Sequence, residues 1–190
     1  APGNLQTTTA SILARCLNCL SSDVPTATPC MTCDSCLRIG HDDWLDVVEV
    51  DAASSARRID EMREWLETVR YAPVVCRYRV TIMDEAHQIQ EQAASALLKT
   101  LEEPPPHLVV ILCTTHPWDI LGTIRSRLQQ YVLRKPDLGS LVKVLERVAR
   151  AEGIEASESA LDILARAADG SYRDALGLLD QIATYTDGRV

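Results

Sequence analysis

Residues 108–113, Leu-Val-Val-Ile-Leu-Cys, contain no polar side chain. A half-buried strand alternates apolar and polar residues, because successive side chains face opposite sides of a sheet. An unbroken apolar run needs cover on both faces, which is the condition of a buried strand in a parallel sheet. Parallel strands need long crossovers, usually helices, and the flanking sequence supplies them. Residues 78–83 form a second strand candidate that ends in acidic residues, and residues 46–50 a third. Between these strands, residues 56–70 carry Ile59, Met62, Leu66 and Val69 on one helical stripe, and residues 91–101 carry Ala94, Leu97, Leu98 and Leu101. Pro104, Pro105 and Pro106 stop the second of these helices. Residues 7–18 read as a first helix with Ile12, Leu13 and Cys16 on one face. Residues 130–133 are a fourth strand candidate. The β-α-β-α-β alternation predicts an α/β fold with a doubly wound parallel sheet.

After Pro136 the pattern changes. Residues 138–152, 158–168 and 172–185 read as three helices with no strand between them. The expected organisation is therefore an α/β domain over residues 1–135, holding a cysteine-rich module at 19–36, and a small all-helical domain over residues 136–190. No internal repeat is visible. The 190 residues suffice for both units. Phe is absent and aromatic residues make up only 4%, so both cores rest on Leu, Ile, Val and Ala. The net charge of -8 argues against a free-standing nucleic-acid binder, which is usually basic. Any DNA contact must come from a local patch or from an assembly. No apolar run approaches the ~20 residues of a membrane span, and residues 1–9 lack the basic-then-apolar pattern of a signal peptide. A cytoplasmic location is expected. In that compartment seven cysteines point to metal or free thiols rather than disulfides.

Cys30, Cys33 and Cys36 form a C-x2-C-x2-C run, with Cys19 upstream. Tetrahedral zinc takes four thiolates at about 2.3 Å, and ligands two residues apart fit a tight knuckle. The bland alternative is a redox cluster or buried thiols, but four such residues in a polar loop favour a closed, structural Zn2+ site. Cys16 is left out, because it falls on the apolar stripe of the first helix.

Asp84 and Glu85 stand at the carboxyl end of a strand, the edge where open α/β sheets bind ligands. In P-loop nucleotide hydrolases the first such acid holds Mg2+ and the second can orient the attacking water. A solvated strand end is the simpler reading. The threonines Thr7, Thr8 and Thr9 before the first helix, and Thr115 after the next strand, strengthen the functional one.

A phosphate loop also needs glycines, a Lys for the terminal phosphates and a Ser or Thr on Mg2+. Thr7 stands where the hydroxyl belongs. Gln6 stands where the Lys belongs, Leu5 where a Gly belongs, and only Gly3 remains. Gln carries no charge to offset phosphate. Either the first six residues are altered, or the chain is a non-hydrolysing subunit.

The strings TTTASILARCLNC (from Thr7), PTATPCMTCDSC (from Pro25), EVDAAS (from Glu49), MDEAHQIQEQAASALLKTLEEPP (from Met83), SRL (from Ser126) and GSYRDALGLLDQ (from Gly170) resemble the gamma/tau clamp-loader subunits of bacterial DNA polymerase III. The match runs along nearly the whole chain. The resemblance implies an AAA+ ATPase core followed by a helical lid, with ATP, Mg2+ and structural Zn2+ as cofactors. It implies an ATPase within a DNA-directed DNA polymerase, a nucleotidyltransferase holoenzyme. It implies a ring with other gamma/tau copies and with delta and delta-prime subunits, which places the sliding clamp (beta) on primer-template DNA during DNA replication. By position, Asp84 and Glu85 become the Walker B acids, Thr115 the first sensor, Arg127 the arginine finger that reaches a neighbour's ATP, and Arg173 the second sensor. Gly3, Gln6, Thr7 and Thr8 fall in the nucleotide-binding segment, and Cys19, Cys30, Cys33 and Cys36 become the zinc ligands. The family's G-x-x-G-x-G-K-T pattern is not met, and Leu128 replaces the Cys that commonly follows the finger arginine.

Two functions from different classes remain open at this level. One is an ATP-driven motor subunit, favoured by Asp84, Glu85 and Arg173. The other is a structural, non-hydrolysing ring subunit of the delta-prime kind, favoured by Gln6 and Leu5. A zinc-dependent nucleic-acid module is disfavoured by the acidic charge. Arg57 and Arg58 read as a solvated helix start, Trp44, Trp65 and Trp118 as core or interface residues, and His87 and His116 as residues without a metal-ligand pattern.

Overall fold

The computed structural model describes residues 4–39, 45–53, 64–89, 91–186, 188 and 190. Gly3, Trp44, Arg57 and Arg58 lie outside the described residues, as do Ile59 and Met62 of the expected helix over 56–70, of which residues 64–68 are described and helical. The chain divides into two compact units, the first running to Gln130 and the second from Tyr131 to Val190.

In the first unit, β1 (Val47–Asp51), β2 (Arg79–Asp84) and β3 (Leu108–Leu112) form a three-stranded sheet in the order β1-β2-β3. Both pairings are parallel, with Asp51 opposite Asp84 and Met83 opposite Leu112. All three strands therefore end at the same edge. The central strand is buried over most of its length, and its side chains split by the two-residue period. Val80 and Ile82 pack with Ala10 and Ala14 of α1 (Asn4–Asn18), with Ile39 and with Val47. Met83 packs on the opposite face with Ala93, Ala94 and Leu97 of α3 (Glu91–Glu102), and with Trp65, Val69 and Ile124. Helices thus cover both faces, as the apolar runs require. Thr81 is fully buried in the second layer, and its hydroxyl oxygen accepts the indole N–H of Trp65 at 2.7 Å. Trp65 is a core residue, whereas Trp118 is 81% exposed with the Arg125 guanidinium 5.2 Å over its ring.

Two expectations are corrected. Ile12 and Leu13 do not face the core: they are 43% and 45% exposed, and α1 turns Ala10, Ala14 and Asn18 to the sheet instead. Small side chains let the helix axis approach closely. Asn18 earns its buried place because its amide matches both peptide groups of Tyr78: Nδ2 donates to the carbonyl at 3.0 Å, and Oδ1 accepts the N–H at 2.8 Å. Residues 130–133 are not a strand either. They take no regular secondary structure, and Tyr131 and Val132 are more than four-fifths exposed, where the first unit's sequence gives way to the second's.

The buried carboxylate of Asp46 ties the roots of β1 and β2 together. It accepts N–H bonds from Val74, Val75 and Cys76 at 2.8, 2.7 and 2.9 Å and lies 3.5 Å from Arg79. Burial opposes its charge, but the three N–H donors and Arg79 outweigh it and hold the carboxyl below its ordinary range.

The second unit is α5 (Leu138–Glu152), α6 (Glu158–Ala167) and α7 (Tyr172–Tyr185). Each starts on a side-chain cap: Asp137 accepts from Ser140, Ser157 from Ala160 and Ser171 from Asp174. The core consists of Leu and Ala, centred on Leu141, Leu145, Leu161, Leu164, Ala165 and Leu179. No described helix is long and apolar enough to cross a membrane.

Candidate functional site

The carboxyl edge of the sheet brings the start of α1 to the end of β2. The hydroxyl of Thr7 donates to Asp84 Oδ2 at 2.8 Å, although the two residues are 77 apart in sequence. The other oxygen, Oδ1, accepts the backbone N–H of Glu85 at 2.9 Å. An aligned hydroxyl and carboxylate are hard oxygen donors of the kind that Mg2+ takes, either directly or through its waters.

Glu85 turns sharply off the strand, with φ 48° and ψ 41°. That left-handed conformation costs a non-glycine residue on the order of 1 kcal/mol, so the turn is held by its surroundings. Ala86–Gln88 follows as one turn of 3-10 helix, which brings the imidazole of His87 back to 3.4 Å from Glu85 Oε2. His87 Nδ1 also lies 3.0 Å from Thr114 Oγ1. The sequence shows no metal-ligand pattern at His87, and the signal it does carry is the spacing, three residues past Asp84.

Past β3, Thr115 Oγ1 pairs with Nδ1 of His116 at 2.8 Å, and the His116 N–H donates to Thr114 Oγ1 at 3.0 Å. Cys113, buried beneath this tip, is pushed up to about 11 by burial and by the charges of Asp84 and Glu49.

The position expected to hold a lysine behaves differently from a phosphate ligand. Gln6 Nε2 donates to the carbonyl of Thr114 at 2.7 Å, and its Oε1 is buried with no partner. Residue 6 thus joins α1 to the tip of β3 and brings no positive charge. The oxygen pair suits Mg2+; the residue beside it does not suit a triphosphate by charge. Thr8 is exposed one residue along, and the side chain of Leu5 lies outside the described residues.

Arg127 follows the short helix α4 (Gly122–Arg125). It lies at the surface, with Nη1 on the carbonyl of Thr123 and Nη2 on Glu102 Oε1, each at 2.7 Å. Arg173 sits in the first turn of α7, in the helical unit.

Cys19, Cys30, Cys33 and Cys36 come together from the end of α1, the following loop and the start of α2 (Asp34–Arg38), with all four sulfurs within 4.8 Å of one another. Cys16 stands apart with its thiol 3.9 Å from the carbonyl of Ala27. Backbone N–H groups converge on the sulfurs: Cys30 on Cys19, Cys33 on Cys30, Cys36 and Leu20 on Cys33. The Ser21 hydroxyl, the amide and hydroxyl of Thr32 and the amide of Cys33 lower Cys30 to about 5, while burial pushes Cys36 up to about 12. Four sulfurs this close, with amides already directed at them, fit a tetrahedral thiolate zinc site. The cluster is fastened to the α/β unit by two arginines. Arg77 donates to the carbonyls of Leu17, Cys19 and Ser22, and Arg15 to those of Cys36 and Ile39.

Residues 1–137 match the family model described as DNA polymerase III, delta subunit, and residues 140–188 the one described as DNA polymerase III clamp loader subunit, ATPase lid domain. The DNA polymerase III subunit tau of Escherichia coli is 42% identical over 185 residues, which cover 97% of this chain and 28% of that protein. The gamma/tau subunit of Mycobacterium tuberculosis is 43% identical over 179 residues, 93% of this chain and 30% of that one. The chain thus spans less than a third of the length of these relatives. Among solved structures, the RuvB Holliday junction branch migration motor of Thermotoga maritima superimposes with a TM-score of 0.62 over 76% of this chain and 49% of its own, at 17% identity, which is a likeness of fold. With a parallel sheet covered on both faces, a helical lid and family-model matches along nearly its whole length, the chain belongs to the DNA polymerase III clamp-loader family, and it is similar to that family's gamma/tau subunits.

Proposed function

We infer that the chain is a motor subunit of a clamp loader, binding and hydrolysing ATP with Mg2+ so that the sliding clamp is placed on primer-template DNA. The observation that carries this reading is the 2.8 Å bond between Thr7 and Asp84, which assembles a metal-binding oxygen pair from two distant segments. In this reading Thr7 and Asp84 hold Mg2+, Thr8 extends the phosphate-binding helix start, and Glu85 orients the attacking water. Thr115 reads the terminal phosphate. Arg127, at the surface, serves the nucleotide of a neighbouring subunit, where a planar cation stabilises transferring phosphoryl charge. Arg173 acts from the lid. Residues 1–135 are the nucleotide-binding domain and 136–190 the lid. The four clustered cysteines hold structural Zn2+. The partners are further gamma/tau copies, delta, delta-prime, the clamp and, through the ring, DNA, in the cytoplasm.

Gln6 favours a second reading, a delta-prime-like subunit that does not hydrolyse ATP. Its amide is committed to Thr114 and brings no charge. A titration with Mg-ATP separates the two. For the motor reading, the chain binds nucleotide, Gln6→Lys with Leu5→Gly tightens binding at least tenfold, and Asp84→Ala abolishes it. Equal and negligible binding by all three proteins leaves the structural-subunit reading standing.

A further inference from the structure

We propose that His87 is a positioning residue that makes the Glu85 carboxylate and the threonine tip after β3 move as one unit. The proposal rests on the motor reading of Glu85 and Thr115 above.

A single ring nitrogen of His87 faces two oxygens. His87 Nδ1 faces Thr114 Oγ1 at 3.0 Å and Glu85 Oε2 at 3.4 Å. With its hydrogen on Nδ1, the imidazole can serve one of these acceptors well at a time, so any displacement of Thr114 changes what is left for Glu85. Thr114 is itself fixed from both sides. Its hydroxyl oxygen accepts the N–H of His116, whose ring pairs with Thr115, and its carbonyl accepts Gln6. The chain of contacts therefore runs Glu85, His87, Thr114, His116, Thr115, with a branch to residue 6 at the head of α1. The His87 and Glu85 side chains are 16% and 23% exposed, so solvent screens this contact less than a surface pair. The Glu85 backbone sits in the left-handed region directly after the strand, which fixes the point from which its side chain departs. His87 thus sets where the carboxylate lies relative to the residue that would sense the terminal phosphate. A water-orienting group misplaced by about 1 Å can lose on the order of 100-fold in rate.

The test uses the subunit in its complete loader assembly, with clamp and primed DNA, and separates nucleotide affinity from turnover. Wild type, Glu85→Gln, His87→Ala and His87→Asn are compared, with thermal unfolding as a check of folding. Asn can offer its amide where Nδ1 stood. The expected result is that His87→Ala lowers kcat about 10- to 100-fold at unchanged nucleotide affinity, that His87→Asn recovers much of the loss, and that His87→Ala adds nothing in the Glu85→Gln background. Wild-type kcat in His87→Ala, or a parallel loss of affinity and turnover that His87→Asn does not repair, overturns the coupling and leaves the motor reading intact. If wild-type turnover is insensitive to Glu85→Gln, both fall together.

Discussion

The guanidinium of Arg127 and the carboxylate of Glu102 meet at 2.7 Å on the surface of the α/β unit, where the loop after α4 passes the end of α3. The pair is half exposed, and such pairs are worth roughly 0–1 kcal/mol. Its value is therefore positional, since it holds a planar cation at the surface without burying it. Arg127→Ala should leave the melting temperature and the chain's own nucleotide affinity nearly unchanged, while turnover of the assembled ring falls about 1,000-fold. Steady-state hydrolysis in the assembly, compared with binding to the chain alone, checks this.

The cysteine cluster should carry one zinc ion per chain, measurable by atomic absorption. Cys33→Ser should remove it and lower the melting temperature, because the free energy of binding a structural metal adds to that of folding. Ligation needs thiolates, and burial pushes Cys36 up to about 12. Metal must therefore displace that proton, and retention should fall as the solution is made more acidic.

Asp46 should be costly to replace. Asp46→Ala leaves the N–H groups of Val74, Val75 and Cys76 without their acceptor beside Arg79, a loss of about 3 kcal/mol in urea unfolding. Its folded-state pKa is depressed. The stabilisation is therefore complete above the unfolded value of roughly 3.9 and is lost as pH falls through the lower folded value. Asp46→Asn should be less stable at neutral pH and should show a shallower acid limb than wild type.

Leu97 is fully buried between α3 and the sheet. Leu97→Ala should cost about 3 kcal/mol by denaturant unfolding, whereas Ile163→Ala, at a position 65% exposed, should change stability by less than about 0.5 kcal/mol.

What could be read in advance followed from physics that is local in sequence. The apolar run at 108–113 announced a strand covered on both sides, and the spacing of Cys30, Cys33 and Cys36 announced a knuckle. The failures share a different cause. Tyr131, Val132 and Leu133 have strand-forming side chains, but a strand needs a neighbour, and β-propensity reports burial and pairing more than backbone preference. In α1 two stripes compete, Ile12–Leu13–Cys16 and Ala10–Ala14–Asn18. Hydrophobicity selects the first; close approach to the sheet and the double match of Asn18 to Tyr78 select the second. The Thr7–Asp84 bond was reachable by resemblance. The contacts of His87 and Gln6 with Thr114 were not, because no spacing rule links residues so far apart.

α1 is pinned to the central strand by Thr7, in its first turn, on the tip of β2 and by Asn18, its last residue, at the root. At the helical rise the two anchors are about 16 Å apart, and that separation resists sliding or pivoting of the helix on the sheet. Directly behind Asn18 stands Cys19, the first cysteine of the knuckle. The same fixed spar that carries Thr7 to the tip of β2 thus also sets where the knuckle begins.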